Sequence, residues 1–368
     1  MSLWLIFFFT SYGALHAYLF VKIKTAFSLS PGTIFLLFLF FFFMVFSPLY
    51  VRLWEKEGNL FFVRCFAYFC YSWMGLVFFL FLLLLLFDAL NIAHFLVGKK
   101  LFLSPFQQFS LSLFLAVTFF LYGLVEVNGV KLETVKINTA KLPNHVGKLR
   151  VVQISDLHLS YILPRKRLEK IVALVEQANP DMVISTGDLV DGQNDHLFDY
   201  LDYFVRLKPP LGKFAVTGNH EFYVGLKRSL NFLTMAGFRV LRGEGLNVMG
   251  LINLAGFDDK TISNPVSVRE TLNRLPRGYF TLLLYHRPET DPSTLGFFDL
   301  QLSGHTHYGQ IFPFRFFTGL FFPRQAGFFN LGRGSFLYVN RGAGTWGPPI
   351  RFLTPPEITI IDIESSLS

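Results

Sequence analysis

Four long apolar runs fill the first third of this chain: Leu3–Val21, Thr33–Tyr50, Ala67–Phe87 and Phe109–Val125. Each is close to the ~20 residues that a helix needs to cross the hydrocarbon core of a bilayer. One such run is compatible with a buried core helix, but four in succession point to membrane insertion. Residues 1–127 are therefore expected to be an all-α transmembrane region of about four helices. The first run has no positively charged n-region and no clear small-residue cleavage site, so it reads as a retained helix rather than a signal peptide. His94–Pro105 is apolar enough to lie along the membrane surface.

The spans contain few ionisable groups. Asp88 and Glu126 sit at run ends, and His16 lies near one. A transport path needs polar residues at mid-membrane depth, so anchoring is the expected role. Between the spans, Lys22, Lys24, Lys99 and Lys100 fall on one side of the membrane. Arg52, Lys56, Arg64, Lys131, Lys136 and Lys141 fall on the other. The positive-inside rule places the larger set, and everything after the fourth span, in the cytoplasm. Cys65 and Cys70 are the two cysteines, which excludes a disulfide framework.

Residues 128–147 read as a linker. From 148 to 368 the pattern changes to short β-branched runs alternating with helical periodicity. Leu149–Ser155, Asp181–Thr186 and Lys213–Thr217 read as buried strands. Arg167–Ala178, His196–Leu207 and Leu226–Ala236 read as helices. Later strands are expected at Asn247–Phe257, Phe280–Tyr285, Asp299–Leu302, Leu337–Asn340 and Glu357–Ile363. This order predicts an α/β domain with mixed sheets. The chain carries a formal charge of +8, but residues 1–147 hold ten Lys+Arg against five Asp+Glu. The C-terminal domain is thus only mildly basic, and no nucleic-acid partner is expected.

Five short segments follow five of these elements: Asp156-Leu157-His158, Gly187-Asp188-Leu189-Val190-Asp191, Gly218-Asn219-His220-Glu221, Tyr285-His286-Arg287 and Gly304-His305-Thr306-His307. Histidines and carboxylates are costly to desolvate and add little packing, so such clusters at strand ends point to metal binding or catalysis. In kind and order the five resemble the motifs of the calcineurin-like metallophosphoesterase superfamily, over about Lys148 to Ile363. The tail Leu337–Trp346, with Pro348–Phe352 and Pro355–Ile358, resembles its bacterial membrane-attached, phosphodiesterase-like subgroup.

The resemblance implies a sandwich of two mixed β-sheets flanked by helices, and a centre of two divalent metal ions. Asp156, His158 and His307 would hold one ion and Asn219, His286 and His305 the other, with Asp188 bridging. Mixed oxygen and imidazole donors suit Mn, Fe or Zn better than Ca. His220 matches the position that binds phosphate and protonates the leaving oxygen. Glu221 is expected to orient its imidazole, with Asp191 as a second candidate. His145 and His196 lie outside the motifs and read as surface residues. Many relatives have Gly directly after Gly-His-Thr-His, where this chain has Tyr308.

The implied activity is hydrolysis of a phosphodiester or pyrophosphate by metal-activated hydroxide, at a bacterial plasma membrane. The substrate is either lipid-linked, with membrane lipids as partners, or a soluble phosphoester with the spans as a tether only. A non-catalytic metal-binding sensor or scaffold is the reading from another class. Ile311–Phe329 carries eight phenylalanines with Arg315 and Arg324. It reads either as a folded flap or as an apolar lip that dips into the bilayer interface.

Overall fold

The computed structural model describes residues 3–57, 60–100, 102–143, 145–160, 162–191, 195–261 and 266–366. They divide into two compact units, Met1–Val125 with Gly347–Ile350, and Glu126–Trp346 with Arg351–Ser368.

The first unit consists of α1 (Leu3–Ala26), α2 (Pro31–Glu57), α3 (Leu60–Leu96) and α4 (Pro105–Glu126). All four are long and apolar enough to cross a bilayer. Their outer faces expose Phe35, Phe42, Phe61, Phe62, Phe69 and Phe114, a surface that lipid, not water, would cover favourably. At 37 residues, α3 is about 55 Å long against a ~30 Å hydrocarbon core. It takes in the start of the stretch read as a separate surface segment. Two polar residues inside the unit, His16 and Asp88, have defined partners. His16 is buried, with Nδ1 2.8 Å from the Tyr12 carbonyl and Nε2 accepting from Trp73 at 3.0 Å. Asp88 of α3 accepts from Tyr18 Oη and Gln108 Nε2, each at 2.7 Å, and pairs with Lys22. Lys22 is thus a helix residue holding α1 to α3, not a loop residue.

The second unit opens with β1 (Lys131–Thr139), β2 (Lys148–Ile154), α5 (Arg165–Gln177), β3 (Met182–Ser185), α6 (Leu201–Val205) and β4 (Lys213–Ala215). Next come α7 (Asn219–Val224), α8 (Leu226–Met235), β5 (Phe238–Val240), β6 (Glu244–Val248), β7 (Ile252–Gly256), α9 (Val268–Arg274) and β8 (Phe280–Leu284). It closes with β9 (Leu300–Ser303), α10 (Arg315–Phe321), β10 (Gly327–Gly332), β11 (Ser335–Val339) and β12 (Glu357–Ser365). One sheet runs β1-β12-β2-β3-β4-β5 and the other β10-β11-β9-β8-β7-β6.

The period-2 alternation of strands decides the layering. Val151, Ile184, Leu254 and Leu282 point into a core shared by the two sheets. Their neighbours Val152 and Val183 face the opposite way, onto Leu168, Ile171, Val172 and Val175 of α5 and Phe232 of α8. On the far side, Ala255 and Leu283 pack against Leu272 of α9. The result is the expected sandwich of two mixed sheets with helices outside. Strands buried on both faces are why these segments read as continuous apolar runs.

Three differences from the sequence reading stand out. Lys131–Thr139, inside the stretch read as a linker, is β1, paired parallel with β12 from Lys131↔Glu357 to Thr139↔Ser365. The stretch Asn247–Phe257, read as one strand, is the hairpin β6–β7. It reverses at Met249 and Gly250, which have φ of 49° and 71°. The helix expected over His196–Leu207 is a 3₁₀ turn, Asp195–Tyr200, followed by α6.

Candidate metal centre

The loops leaving β2 and β3 run side by side. Asp156 N donates to the Gly187 carbonyl at 3.1 Å, His158 N to Asp188 at 3.0 Å and Leu159 N to Leu189 at 2.8 Å. This ladder brings the first two motifs together. The loop after β4 joins them through His220 N, which donates to Asp188 Oδ1 at 2.8 Å. From the second sheet, His286 follows β8 and His305 follows β9. Their loops are linked by Gly304 N donating to the His286 carbonyl at 2.8 Å. Both sheets therefore deliver polar residues at strand C-termini, where α/β sheets generally build sites.

The approach is close enough to dictate glycine at two places. A Cβ on Gly218 would lie 2.2 Å from Asp188 Oδ1, and one on Gly304 would lie 2.0 Å from Ser155 Oγ. The backbone is also strained. Asp156, His158, Asp188, His305 and His307 all have positive φ, between 49° and 71°. Non-glycine residues avoid this region, and clusters of such conformations mark functional sites.

Three groups of side chains converge: Asp156 with His158 and His307, Asp188 with His286 and His305, and His158 with Asp191 and His220. Within each group the ligand atoms lie within 4.8 Å of one another. Asp188 Oδ2 stands 3.2 Å from His286 Nε2 and 3.9 Å from His158 Nε2, between the first two groups. His158 Nε2 faces His307 Nε2 at 2.9 Å, and His286 Nε2 faces His305 Nδ1 at 3.1 Å. Asn219 Oδ1 is buried without a hydrogen-bond partner. Imidazole nitrogens turned toward one another and an orphaned amide oxygen are the donor set that a divalent cation satisfies. These residues fit a metal.

Charge follows the same plan. Burial and the neighbouring His286 push the His305 imidazole down to about 3, and burial with His158 and Arg351 pushes His307 down as well. Both rings are neutral at pH 7, the form that ligates. Burial disfavours ionised Asp188, but His286, His220 and His158 outweigh it and hold the carboxyl well below its ordinary range.

His220 is a different kind of residue. Its Nδ1 lies 2.6 Å from Asp191 Oδ1. Burial opposes a charge on it, but Asp191 and Asp188 outweigh burial and raise the imidazole to about 9. Its ring lies edge-on to Tyr223 and to Trp346, with centroids 5.4 and 5.8 Å away. The carboxylate on the ring is therefore Asp191. Glu221 does not reach it: Oε2 accepts from Gly218 N at 2.7 Å and Asp188 N at 3.0 Å, and Oε1 from Val190 N at 3.1 Å. Glu221 ties the loops after β3 and β4 together. His145 is exposed; the His196 side chain lies outside the described residues.

The sequence reading missed two contributors. Arg351 is fully buried. It donates to the carbonyls of His307, Arg341, Gly342 and Gly344 at 2.7–3.1 Å, and its Nη2 lies 3.1 Å from His307 Nδ1. Asp259, also buried, accepts from Arg287 Nε at 2.7 Å and Nη2 at 3.1 Å, and so fixes the residue after His286. Neither was legible, because the partners are backbone carbonyls or distant in sequence.

Comparison with known proteins agrees with this geometry. Residues 149–309 match the family model of calcineurin-like phosphoesterases. The chain is similar to an uncharacterized metallophosphoesterase of Aquifex aeolicus, 39% identical over 263 residues that make up 68% of this chain and 98% of that protein. It is 31% identical to one from Campylobacter jejuni over 343 residues, 88% of this chain and 90% of the relative. It is 32% identical to a transmembrane protein with metallophosphoesterase domain from Danio rerio over 278 residues, 71% of this chain and 64% of the relative. With the motif residues converging as described, this chain belongs to the calcineurin-like metallophosphoesterases, hydrolases of phosphoester bonds.

Proposed function

We propose that the chain is a membrane-anchored phosphoesterase that uses two divalent cations to hydrolyse a phosphodiester or pyrophosphate carried by a lipid. The observation that carries this reading is the position of Asp188, whose carboxylate stands between the two ligand groups. Asp156, His158 and His307 would hold one ion, and Asn219, His286 and His305 the other. Two such cations, when bound, supply Lewis acidity and a water activated near neutral pH. The oxygen and imidazole donors suit Mn, Fe or Zn.

The residues of the chain do the rest. Asp191 accepts from Nδ1 of His220 and so leaves Nε2–H free to point outward. Raised to about 9, His220 is protonated at neutral pH and can donate to the departing oxygen, a contribution of typically ~10²–10⁴-fold. Glu221 is a positioning residue that acts through the backbone of Gly218, Asp188 and Val190.

The lipid part of the proposal is supported by α10. Phe316, Phe317, Leu320 and Phe321 are 56–80% exposed on this one short helix. The helix is followed by Phe322, whose ring centroid lies 5.0 Å from that of His305. An apolar face of this kind next to a metal ligand lowers the cost of bringing a lipid chain to the site, at ~0.8 kcal/mol per buried methylene. The same chain carries four helices long and apolar enough to cross a membrane, and β1 begins only five residues after α4 ends. On this proposal the apolar face of α10 meets a bilayer.

The test is hydrolysis by the full-length protein, with metals varied, across lipid-borne and soluble phosphoesters. Lipid-borne diesters or pyrophosphates should be preferred. Changing Phe316, Phe317, Leu320 and Phe321 to Ser should lower the rate on them while sparing a soluble ester. Equal rates on both substrate types would leave the spans as a tether only. Metal binding without hydrolysis of any ester would make the chain a sensor or scaffold.

A further inference from the structure

The family activity leaves Tyr308 without a role. It follows His307 directly, has φ of 51°, and opens onto a cavity of about 320 Å³ lined by Tyr308, Arg315, Phe316, Gly319 and Gln325. The Arg315 guanidinium is held among three rings, with its carbon 4.9 Å from the centroid of Phe312, 5.4 Å from Tyr308 and 5.5 Å from Phe316. Its Nη1 donates to Tyr308 Oη at 3.3 Å. Among the described residues no carboxylate pairs with it. A guanidinium has five N–H donors, so among the described residues most of them have no protein acceptor.

Two walls of the cavity ask for the same ligand. Tyr308 Oη accepts from Arg315, which leaves its own proton to donate onward. Aromatic stacking fixes the guanidinium plane, so less freedom is lost when its fork engages an oxyanion. Gln325 Oε1 is closed off from solvent and has no hydrogen-bond partner, so Gln325 backs the cavity while Arg315 and Tyr308 face a ligand. Gln325 is itself fixed by its carbonyl, which accepts from Thr306 Oγ1 at 2.6 Å. Thr306 lies between the metal-ligand candidates His305 and His307. Cation and phenolic proton together match a phosphoryl group.

We propose that this cavity is a second anion subsite, holding a phosphoryl group of the substrate next to the one that is hydrolysed. The inference rests on the phosphoesterase reading and narrows it to substrates with two phosphoryl groups, such as a pyrophosphate or a phosphorylated headgroup. It also gives the phenylalanines of α10 a polar partner: Arg315 faces the ring side chains and the cavity, while Phe317, Leu320 and Phe321 stay exposed.

Binding to the full-length, metal-stripped protein in detergent tests the subsite without turnover. The probes are inorganic pyrophosphate and the short-chain lipid dihexanoyl phosphatidic acid, with dihexanoyl phosphatidylcholine as control, followed by calorimetry. Wild-type protein should bind the anionic probes saturably. Arg315→Gln should weaken that binding about tenfold, the loss of one charge-assisted contact, with Tm little changed. Tighter binding of phosphatidic acid than of pyrophosphate assigns the group to a lipid; similar binding assigns it to a soluble phosphate. Wild-type protein that binds neither anion, or an Arg315→Gln variant that binds like wild type, overturns the subsite. Should that variant not fold, Tyr308→Phe replaces it, and wild-type affinity is the overturning result. With metal restored, Arg315→Gln should lose about tenfold in kcat/KM on a diphosphate ester and keep its rate on the monophosphate of the same alcohol. A wild-type protein that binds the anions but hydrolyses nothing keeps the subsite and removes the phosphoesterase reading.

Discussion

At the scale of single residues the proposed mechanism separates holding a metal from moving a proton. The His220 ring touches Asp191 and its N–H donates to Asp188, but it belongs to neither of the two groups between which Asp188 stands. His220→Ala should therefore keep metal and lose turnover by ~10²–10⁴-fold on esters with poor leaving groups. The loss should be smaller for nitrophenolate, which hardly needs a proton. An equal loss with both would make His220 a phosphate-binding group instead of the acid. Arg351 makes the complementary case. It donates to the His307 carbonyl and packs its Nη2 3.1 Å from the ring's Nδ1, so it positions a proposed ligand, and residues that orient a ligand typically set ~10–100-fold in metal affinity. Arg351→Lys keeps a charge but loses the planar fork, so the folded variant should lose metal on dialysis faster than wild type; elemental analysis of the dialysed protein is the measurement. Retained metal would make Arg351 a loop brace only. The contrast also shows what was legible in the sequence. Asp156, His158, Asp188, His220, His286, His305 and His307 sit in short motifs after recognisable strands, and the structure brings them together. The role of Arg351 rests on four carbonyls and leaves no trace in side-chain pattern. Asp191 and Glu221 show a third situation: both carboxylates were visible, but only the backbone path places one on the imidazole and the other on amides.

At the scale of elements, β1 decides where the catalytic domain begins. With charged Lys131, Glu133 and Lys136 it falls in the stretch that reads as a linker, because edge strands carry charges. In the fold it covers β12 along nine register positions. It adds Val135 and Ile137 to the core between the sheets, and Glu133 pairs with Arg341 at 2.6 Å. A chain that starts at Lys148 would leave β12 as an open edge with unpaired N–H and C=O groups. It should melt at least about 5 °C below a chain that starts at Asn128, and aggregate where the longer one stays monomeric. Equal melting would show that β1 adds no stability. The hairpin β6–β7 was hidden for a related reason: Met249-Gly250 interrupts an otherwise continuous apolar run by only two residues. Long elements with strong periodicity, such as α5 with Leu168, Ile171, Val172 and Val175 buried, were read within two residues of their observed ends.

At the scale of the whole molecule, composition alone separated the chain into an apolar helical third and an α/β remainder, and the four helices and two sheets follow that division. What periodicity could not supply is sidedness, which depends on the count of spans. If all four helices cross, α1 starts and α4 ends on the same face, and the domain that begins at Glu126 would lie on that side. Arg52 and Arg64 lie in the described helical parts that turn on this face, and Lys131, Lys136 and Lys141 follow α4. The opposite face carries Lys24, Lys99 and Lys100, with Lys22 bound to Asp88. Basic residues are retained on the cytoplasmic side, so we predict that the catalytic domain is cytoplasmic. In a bacterial host, green fluorescent protein fused after Ser368 should fluoresce, and alkaline phosphatase fused at the same place should be inactive. Fusions between Lys24 and Pro31, after one span, should give the reverse. The two junctions must disagree, because an odd number of spans separates them. If the fusion after Ser368 is the one with alkaline phosphatase activity, the domain is outside, and its substrate must be sought in the outer leaflet or beyond it. If both junctions report the same side, one of the three later helices does not cross, and α3, long enough to bend back along the surface, is the first to examine by cysteine labelling from its exposed Cys65.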